Sequence, residues 1–130
     1  MDMGNMEDKK IVLAIDDNLV QLDLYQKLLS IKYDVRVVKS ASHALHYLNT
    51  NVADIILLDI EMPNITGFDF LEDIRKIPSY MGVPIIIVSG KTGQDFLDQA
   101  RNSSAFDVLT KPVTPEILTS VIEKALAAKN

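Results

Sequence analysis

The sequence predicts a three-layer, doubly wound α/β domain with five parallel strands, a (βα)5 arrangement. Three observations predict it. Short apolar runs, too short for helices, recur along the chain; the segments between them carry apolar residues at helical spacing; and the 130 residues show no repeat, low-complexity tract or linker. Strands that alternate with helices imply βαβ units, hence a parallel sheet covered on both faces.

Residues 1–9 read as a loose polar leader and 10–128 as one domain. Ile11 to Ile15 is a continuous apolar run ending at Asp16–Asp17, as suits a strand buried on both faces. From Asn18 to Ile31 the period becomes helical, and Val20, Leu24, Leu28 and Ile31 form the expected core stripe, leaving Leu22 toward solvent. Val35 to Val38 reads as a strand and Ser42 to Leu48 as a short helix. Ile55 to Leu58 is a buried strand that ends at Asp59. The loop Glu61–Met62–Pro63–Asn64–Ile65–Thr66–Gly67 has the Pro and Gly of a turn, and a helix from Phe68 to Ile77 stops before Pro78. Pro84 to Val88 is a β-branched strand ending at Ser89–Gly90, and Gln94 to Arg101 is helical. Asp107 to Thr110 is the last strand, followed by Lys111–Pro112. Thr114–Pro115–Glu116 opens the last helix as cap, first-turn proline and first-turn acid, with Ile117, Val121, Ile122 and Ala125 on its apolar side.

Composition removes several function classes. The chain has no cysteine, which excludes disulfides, thiolate nucleophiles and Cys-ligated metals. With 13 basic and 18 acidic residues and a net charge of −5 it has no basic patch, so direct nucleic-acid binding is not expected. No apolar stretch spans a membrane and no signal peptide is evident, which fits a cytoplasmic protein. His43 and His46 share a helix face, but no carboxylate follows closely, so they read as ordinary helix residues.

In open α/β sheets, ligands bind beyond the carboxyl ends of the strands. There the strands deliver Asp16 and Asp17, then Asp59, Ser89 and Lys111. Taken singly, each has an ordinary explanation as a cap, turn or surface residue. Together they do not. Two unit charges about 5 Å apart repel by roughly 3 kcal/mol at an effective dielectric near 20, so three carboxylates cost on the order of 10 kcal/mol. A divalent cation with Lys111 offsets that, and oxygen-only ligands favour Mg²⁺ or Mn²⁺ over zinc. A metal, a lysine and a hydroxyl around an accessible carboxylate suit phosphoryl transfer, with Asp59 as nucleophile and Asp16 and Asp17 holding the ion.

The motifs Ile15–Asp16–Asp17–Asn18, Leu57–Leu58–Asp59–Ile60–Glu61–Met62–Pro63 with Gly67, Val88–Ser89–Gly90 and Leu109–Thr110–Lys111–Pro112 resemble, in order and spacing, a response-regulator receiver domain of two-component signalling (CheY-like), from about Lys10 to Ala128. The resemblance implies a flavodoxin-like 2-1-3-4-5 sheet and phosphorylation of Asp59 by a histidine kinase or histidine phosphotransfer protein. It implies Mg²⁺ on Asp17, Asp59 and the Glu61 backbone carbonyl, with Asp16 acting largely through water. Ser89, Lys111 and the backbone amides after Asp59 and Ser89 would hold the phosphoryl oxygens. A cis Lys111–Pro112 bond is also implied, as is a shift between two conformations that changes binding to a downstream protein or effector domain. A monomer, or a dimer formed on phosphorylation, is compatible with the chain, and no effector domain is present in these residues.

Three positions depart from the family pattern. Val108 stands where an aromatic residue usually rotates inward, with Phe106 two residues earlier; Gly90 replaces a common alanine and should leave the site more open; and Ser103–Ser104 stand where a glycine is usual. Glu61 and Lys91 flank the entrance and read either as solvated charges or as residues that tune loss of the phosphoryl group, and Leu22 is expected toward solvent, either as a singly exposed leucine or as a docking residue for the kinase. Other readings stay open at this point. A phosphohydrolase using an aspartyl-phosphate would need an acid/base carboxylate, for which Glu61 has the offset, but no cap segment is present. A flavodoxin-like cofactor binder would lack a phosphate loop, because Asp16 and Asp17 repel phosphate. A receiver-like module that is never phosphorylated would not need so complete a site.

Overall fold

The computed structural model describes residues 9–62 and 66–128. Residues 1–8 of the expected leader and 63–65 of the expected loop lie outside them. Five strands, β1 (Ile11–Ile15), β2 (Asp34–Val38), β3 (Ile55–Leu58), β4 (Ile85–Ser89) and β5 (Asp107–Thr110), form one sheet. Its order is β2-β1-β3-β4-β5, the expected one, and every pairing is parallel. The helices are α1 (Leu19–Leu29), α2 (Ala41–Thr50), α3 (Gly67–Arg75), α4 (Gln94–Arg101) and α5 (Pro115–Ala128), with a short 3-10 turn at Pro78–Tyr80.

The continuous apolar runs follow from burial on both sides. Successive strand residues point to opposite faces. Leu13, Ile15, Ile56, Leu58, Ile85 and Ile87 pack on the side that holds Ala44, Leu48, Phe70, Leu71 and Ala100, from α2, α3 and α4. Val12, Ala14, Ile55, Leu57, Ile86 and Val88 pack on the other side with Leu22, Tyr25 and Leu29 from α1 and Leu118, Val121 and Ile122 from α5.

Two helix faces differ from expectation. In α1 the buried residues are Leu22, Tyr25 and Leu29, whereas Val20 is 79% exposed and Ile31, beyond the helix end, 87%. Leu24 is also exposed and Leu28 only half-buried against the core. The helix carries apolar residues on two stripes, so period alone leaves its rotation open. The bulkier set, with Tyr25, fills the space over Val12, Ala14 and Leu57. Leu22 is therefore core, only 4% exposed, and the expectation of a docking side chain there is overturned. In α5, Leu118 takes the core place given to Ile117, which is exposed.

Helix starts obey local capping. Asn18 Oδ1 accepts from the amides of Val20 and Gln21, Ser40 Oγ from His43, and Thr114 Oγ1 from Ile117. Arg75, the last residue of α3, ties the helix end to the segments that follow it. Its guanidinium donates to the carbonyls of Tyr80 and Val83, and to Oγ and the carbonyl of Ser104, at 2.6–2.9 Å. Ser104 thus anchors this arginine, and Ser103 closes the turn, its Oγ accepting from the Ala105 amide. Val108 packs half-buried against the α2–α3–α4 side of the core, and Phe106 lies exposed before β5.

Candidate functional site

The sheet ladder runs one residue past the strands and fixes the residues that follow them. Asp59 N donates to the Ile15 carbonyl at 2.9 Å, Asp16 N to Val38 at 3.2 Å and Lys111 N to Ser89 at 2.8 Å. Strand pairing sets Ile15 beside Leu58 and Ser89 beside Thr110. Every residue expected from sequence at this edge is thereby placed at it: Asp16 and Asp17 after β1, Asp59 after β3, Ser89 at the end of β4 and Lys111 after β5.

Asp16, Asp17 and Asp59 each offer a carboxylate oxygen, and these oxygens lie within 4.8 Å of one another. Asp16 and Asp59 are buried and Asp17 is exposed. Lys111 Nζ lies 2.9 Å from Asp16 Oδ2 and 3.4 Å from Asp59 Oδ2, so a single ammonium bridges two of the three acids. The other oxygen of Asp16 accepts from the Asn18 amide at 2.9 Å, and Asp59 Oδ1 accepts from the Glu61 amide at 2.9 Å.

The electrostatics follow from this crowding. Burial raises the Asp59 carboxyl above its ordinary value; the Glu61 amide pulls the other way, the Asp16 charge raises it further, and Lys111 lowers it. Burial opposes the charge of Lys111, but its hydrogen bond and ion pair with Asp16, aided by Asp59, outweigh that and hold it above its ordinary value. The set is oxygen-only, acidic and incompletely neutralised by one lysine, which suits a hard divalent cation such as Mg²⁺.

On the far side of Asp59, Ser89 is fully buried. Its hydroxyl donates to Glu61 Oε1 at 2.9 Å and accepts from the Lys91 amide at 3.0 Å. The same Glu61 oxygen accepts from the Gly90 amide at 2.9 Å. A Cβ at Gly90 would sit 3.4 Å from that oxygen. The space that Gly90 was expected to leave open is therefore occupied by the Glu61 carboxylate. Sequence reasoning placed Glu61 at the entrance and missed this crossing to β4, for which the sequence carries no signal. Lys111–Pro112 is cis, as the resemblance implied.

Gly67 serves packing more than turning. A Cβ there would lie 2.4–2.5 Å from Ile60, including its Cα, so only glycine lets the start of α3 rest on the residue after Asp59.

Among known proteins, a family model described as "Response regulator receiver domain" matches residues 12–123. The Dictyostelium discoideum 3′,5′-cyclic-nucleotide phosphodiesterase regA is 33% identical over 121 residues, covering 90% of this chain and 15% of that protein. Two-component response regulator ORR3 of Oryza sativa is 30% identical over 122 residues, covering 92% of this chain and 93% of its own length. Among solved structures, a CheY-like receiver domain protein from Methanospirillum hungatei superposes with a TM-score of 0.86 at 26% identity, over 94% of this chain and 97% of that one. Vibrio cholerae CheY4 gives 0.85 at 27% identity, over 91% and 99%.

Proposed function

The chain belongs to the response regulator receiver domains, phosphoaccepting signalling switches of two-component systems, and on that premise we propose that Asp59 is its phosphoacceptor. The observation that carries this reading is Asp59 itself, a buried, charge-crowded carboxylate held by the Glu61 amide and Lys111 and facing two further acids. One Asp59 oxygen forms the bond to phosphorus while the P–N bond of a donor phosphohistidine breaks and the imidazole nitrogen keeps the electron pair. Lys111 then pairs with one phosphoryl oxygen, and Ser89 with another.

Asp17, Asp59 and the Glu61 carbonyl would hold Mg²⁺, or Mn²⁺ in its place. Both oxygens of Asp16 already carry hydrogen bonds, to Asn18 and Lys111, which fits a role for Asp16 through water. When bound, the ion supplies positive charge opposite the phosphoryl oxygens.

The donor is a histidine kinase or histidine phosphotransfer protein, and the output is altered binding to a downstream protein or effector domain. Residues 10–128 form the phosphoaccepting unit, which acts in the cytoplasm and catalyses nothing beyond gain and loss of its own phosphoryl group. Among the described residues no helix is long and apolar enough to cross a membrane. The kinase-facing surface would then be the exposed side of α1, which carries Leu19, Val20 and Leu24.

Incubation with Mg²⁺ and beryllofluoride, or with a small phosphoryl donor, tests the core of this reading. The expected outcome is a spectral or mass change in the unmodified protein that is absent in Asp59→Asn. An unresponsive unmodified protein defeats it.

A further inference from the structure

We propose that the Glu61 carboxylate is an internal competitor for the phosphoryl group: it occupies the Ser89 hydroxyl and Gly90 amide in the uncharged protein and must leave before a phosphoryl oxygen can use them. The inference deepens the reading of Asp59 as phosphoacceptor and rests on it.

Glu61 is tied to both sides of the site. Its amide donates to Asp59 Oδ1, while its side chain crosses to the end of β4. The Ser89 hydroxyl has one proton, and that proton is given to Glu61 Oε1 at 2.9 Å. Its acceptor side is taken by the Lys91 amide. The Gly90 amide also has one proton, given to the same oxygen. A phosphoryl oxygen on Asp59 cannot receive either proton while Glu61 holds them. Both acceptors are anionic oxygens, so the donor pair that suits a phosphoryl group suits the carboxylate for the same reason.

The arrangement is built for release. Ser89 is fully buried, yet Glu61 is an exposed residue, so the carboxylate can swing into water and regain its hydration. The buried hydroxyl then lacks an acceptor, a costly state that an incoming phosphoryl oxygen relieves. At Gly90 it is the backbone amide that matters: a Cβ there would meet Glu61 Oε1 at 3.4 Å, an ordinary contact.

The test has two readouts. In the uncharged protein without Mg²⁺, the Gly90 amide resonance in an isotope-labelled sample should shift and exchange faster with solvent in Glu61→Ala. With saturating Mg²⁺, Glu61→Ala should bind beryllofluoride on the order of tenfold more tightly, about 1.4 kcal/mol. Glu61→Gln, which keeps an acceptor oxygen but loses the charge, should fall between the two. The backbone carbonyl of Glu61 is unchanged in both variants, and thermal melts check that they remain folded. An unmoved Gly90 amide in Glu61→Ala overturns the contact, and beryllofluoride affinity equal to or weaker than that of the unmodified protein overturns the competition. If neither the unmodified protein nor either variant responds to beryllofluoride while the Gly90 amide still shifts, the phosphoacceptor reading has failed and takes the competition with it.

Discussion

At Asp59 the chemistry and the stability of the protein pull in opposite directions. The carboxylate is buried, faces Asp16 and Asp17 within 4.8 Å, and has a lysine partner only at 3.4 Å. Repulsion at such a distance is worth roughly 3 kcal/mol per pair at an effective dielectric near 20. Asparagine keeps an acceptor oxygen for the Glu61 amide and removes the charge. Asp59→Asn should therefore stabilise the metal-free protein by about 1–2 kcal/mol, seen as a higher melting temperature in the presence of a chelator. Mg²⁺ should reverse the comparison. At about a hundredfold over its dissociation constant the ion adds about 2.7 kcal/mol to a protein that binds it, and the gain should be much smaller in Asp59→Asn. A variant that melts below the unmodified protein in chelator, or gains equally from Mg²⁺, contradicts this account of the acidic cluster. All five side chains of this site were readable from sequence, because each ends a strand or lies within two residues of a strand end. The Glu61 bond to Ser89 was not, because it joins residues 28 apart through a side-chain rotamer that no spacing rule encodes.

Among the elements, α3 and α1 show how packing settles what pattern leaves open. The first residue of α3 is a glycine because Ile60 fills the space of its Cβ. Gly67→Ala should cost about 2–3 kcal/mol, since backbone as well as side chain would have to move. Denaturant unfolding measures this, and a loss under about 0.5 kcal/mol would show that the loop after Asp59 yields freely. For α1 the expected inward stripe was Val20, Leu24, Leu28 and Ile31, but the space above Val12 and Ala14 is filled by Leu22, Tyr25 and Leu29. Leu22→Asp buries a charge and should unfold or severely destabilise the protein. Leu24→Asp, on the exposed stripe, should leave the melting temperature within a few degrees and slow phosphoryl transfer from the protein donor while leaving beryllofluoride binding intact. Equal effects on transfer from the protein donor and on beryllofluoride binding would remove α1 from the docking surface.

For the whole molecule, one sheet carries two functions on different parts of the same strands. The middle of each strand buries apolar residues on both faces, and the carboxyl ends gather the polar ones. Because β1 lies between β2 and β3, and β3 beside β4, the residues after β1, β3, β4 and β5 converge although they are far apart in sequence. Lys111 reaches Asp16 across 95 positions of the chain. Val108 packs against the α2–α3–α4 core and has no ring to swing. The Glu61 contact offers a different moving part, at the mouth of the site instead of its side.

The sequence by itself determined the alternation of strands and helices, the parallel sheet and the five side chains at its edge. Those follow from local rules: apolar runs with period, turn residues between them, and polar residues placed where a strand must end. Only the tertiary structure decided which stripe of α1 is buried, why Gly67 is a glycine, and that Glu61 bonds Ser89. Each of those depends on what occupies the space across from the residue, and that space is made by segments distant in the chain.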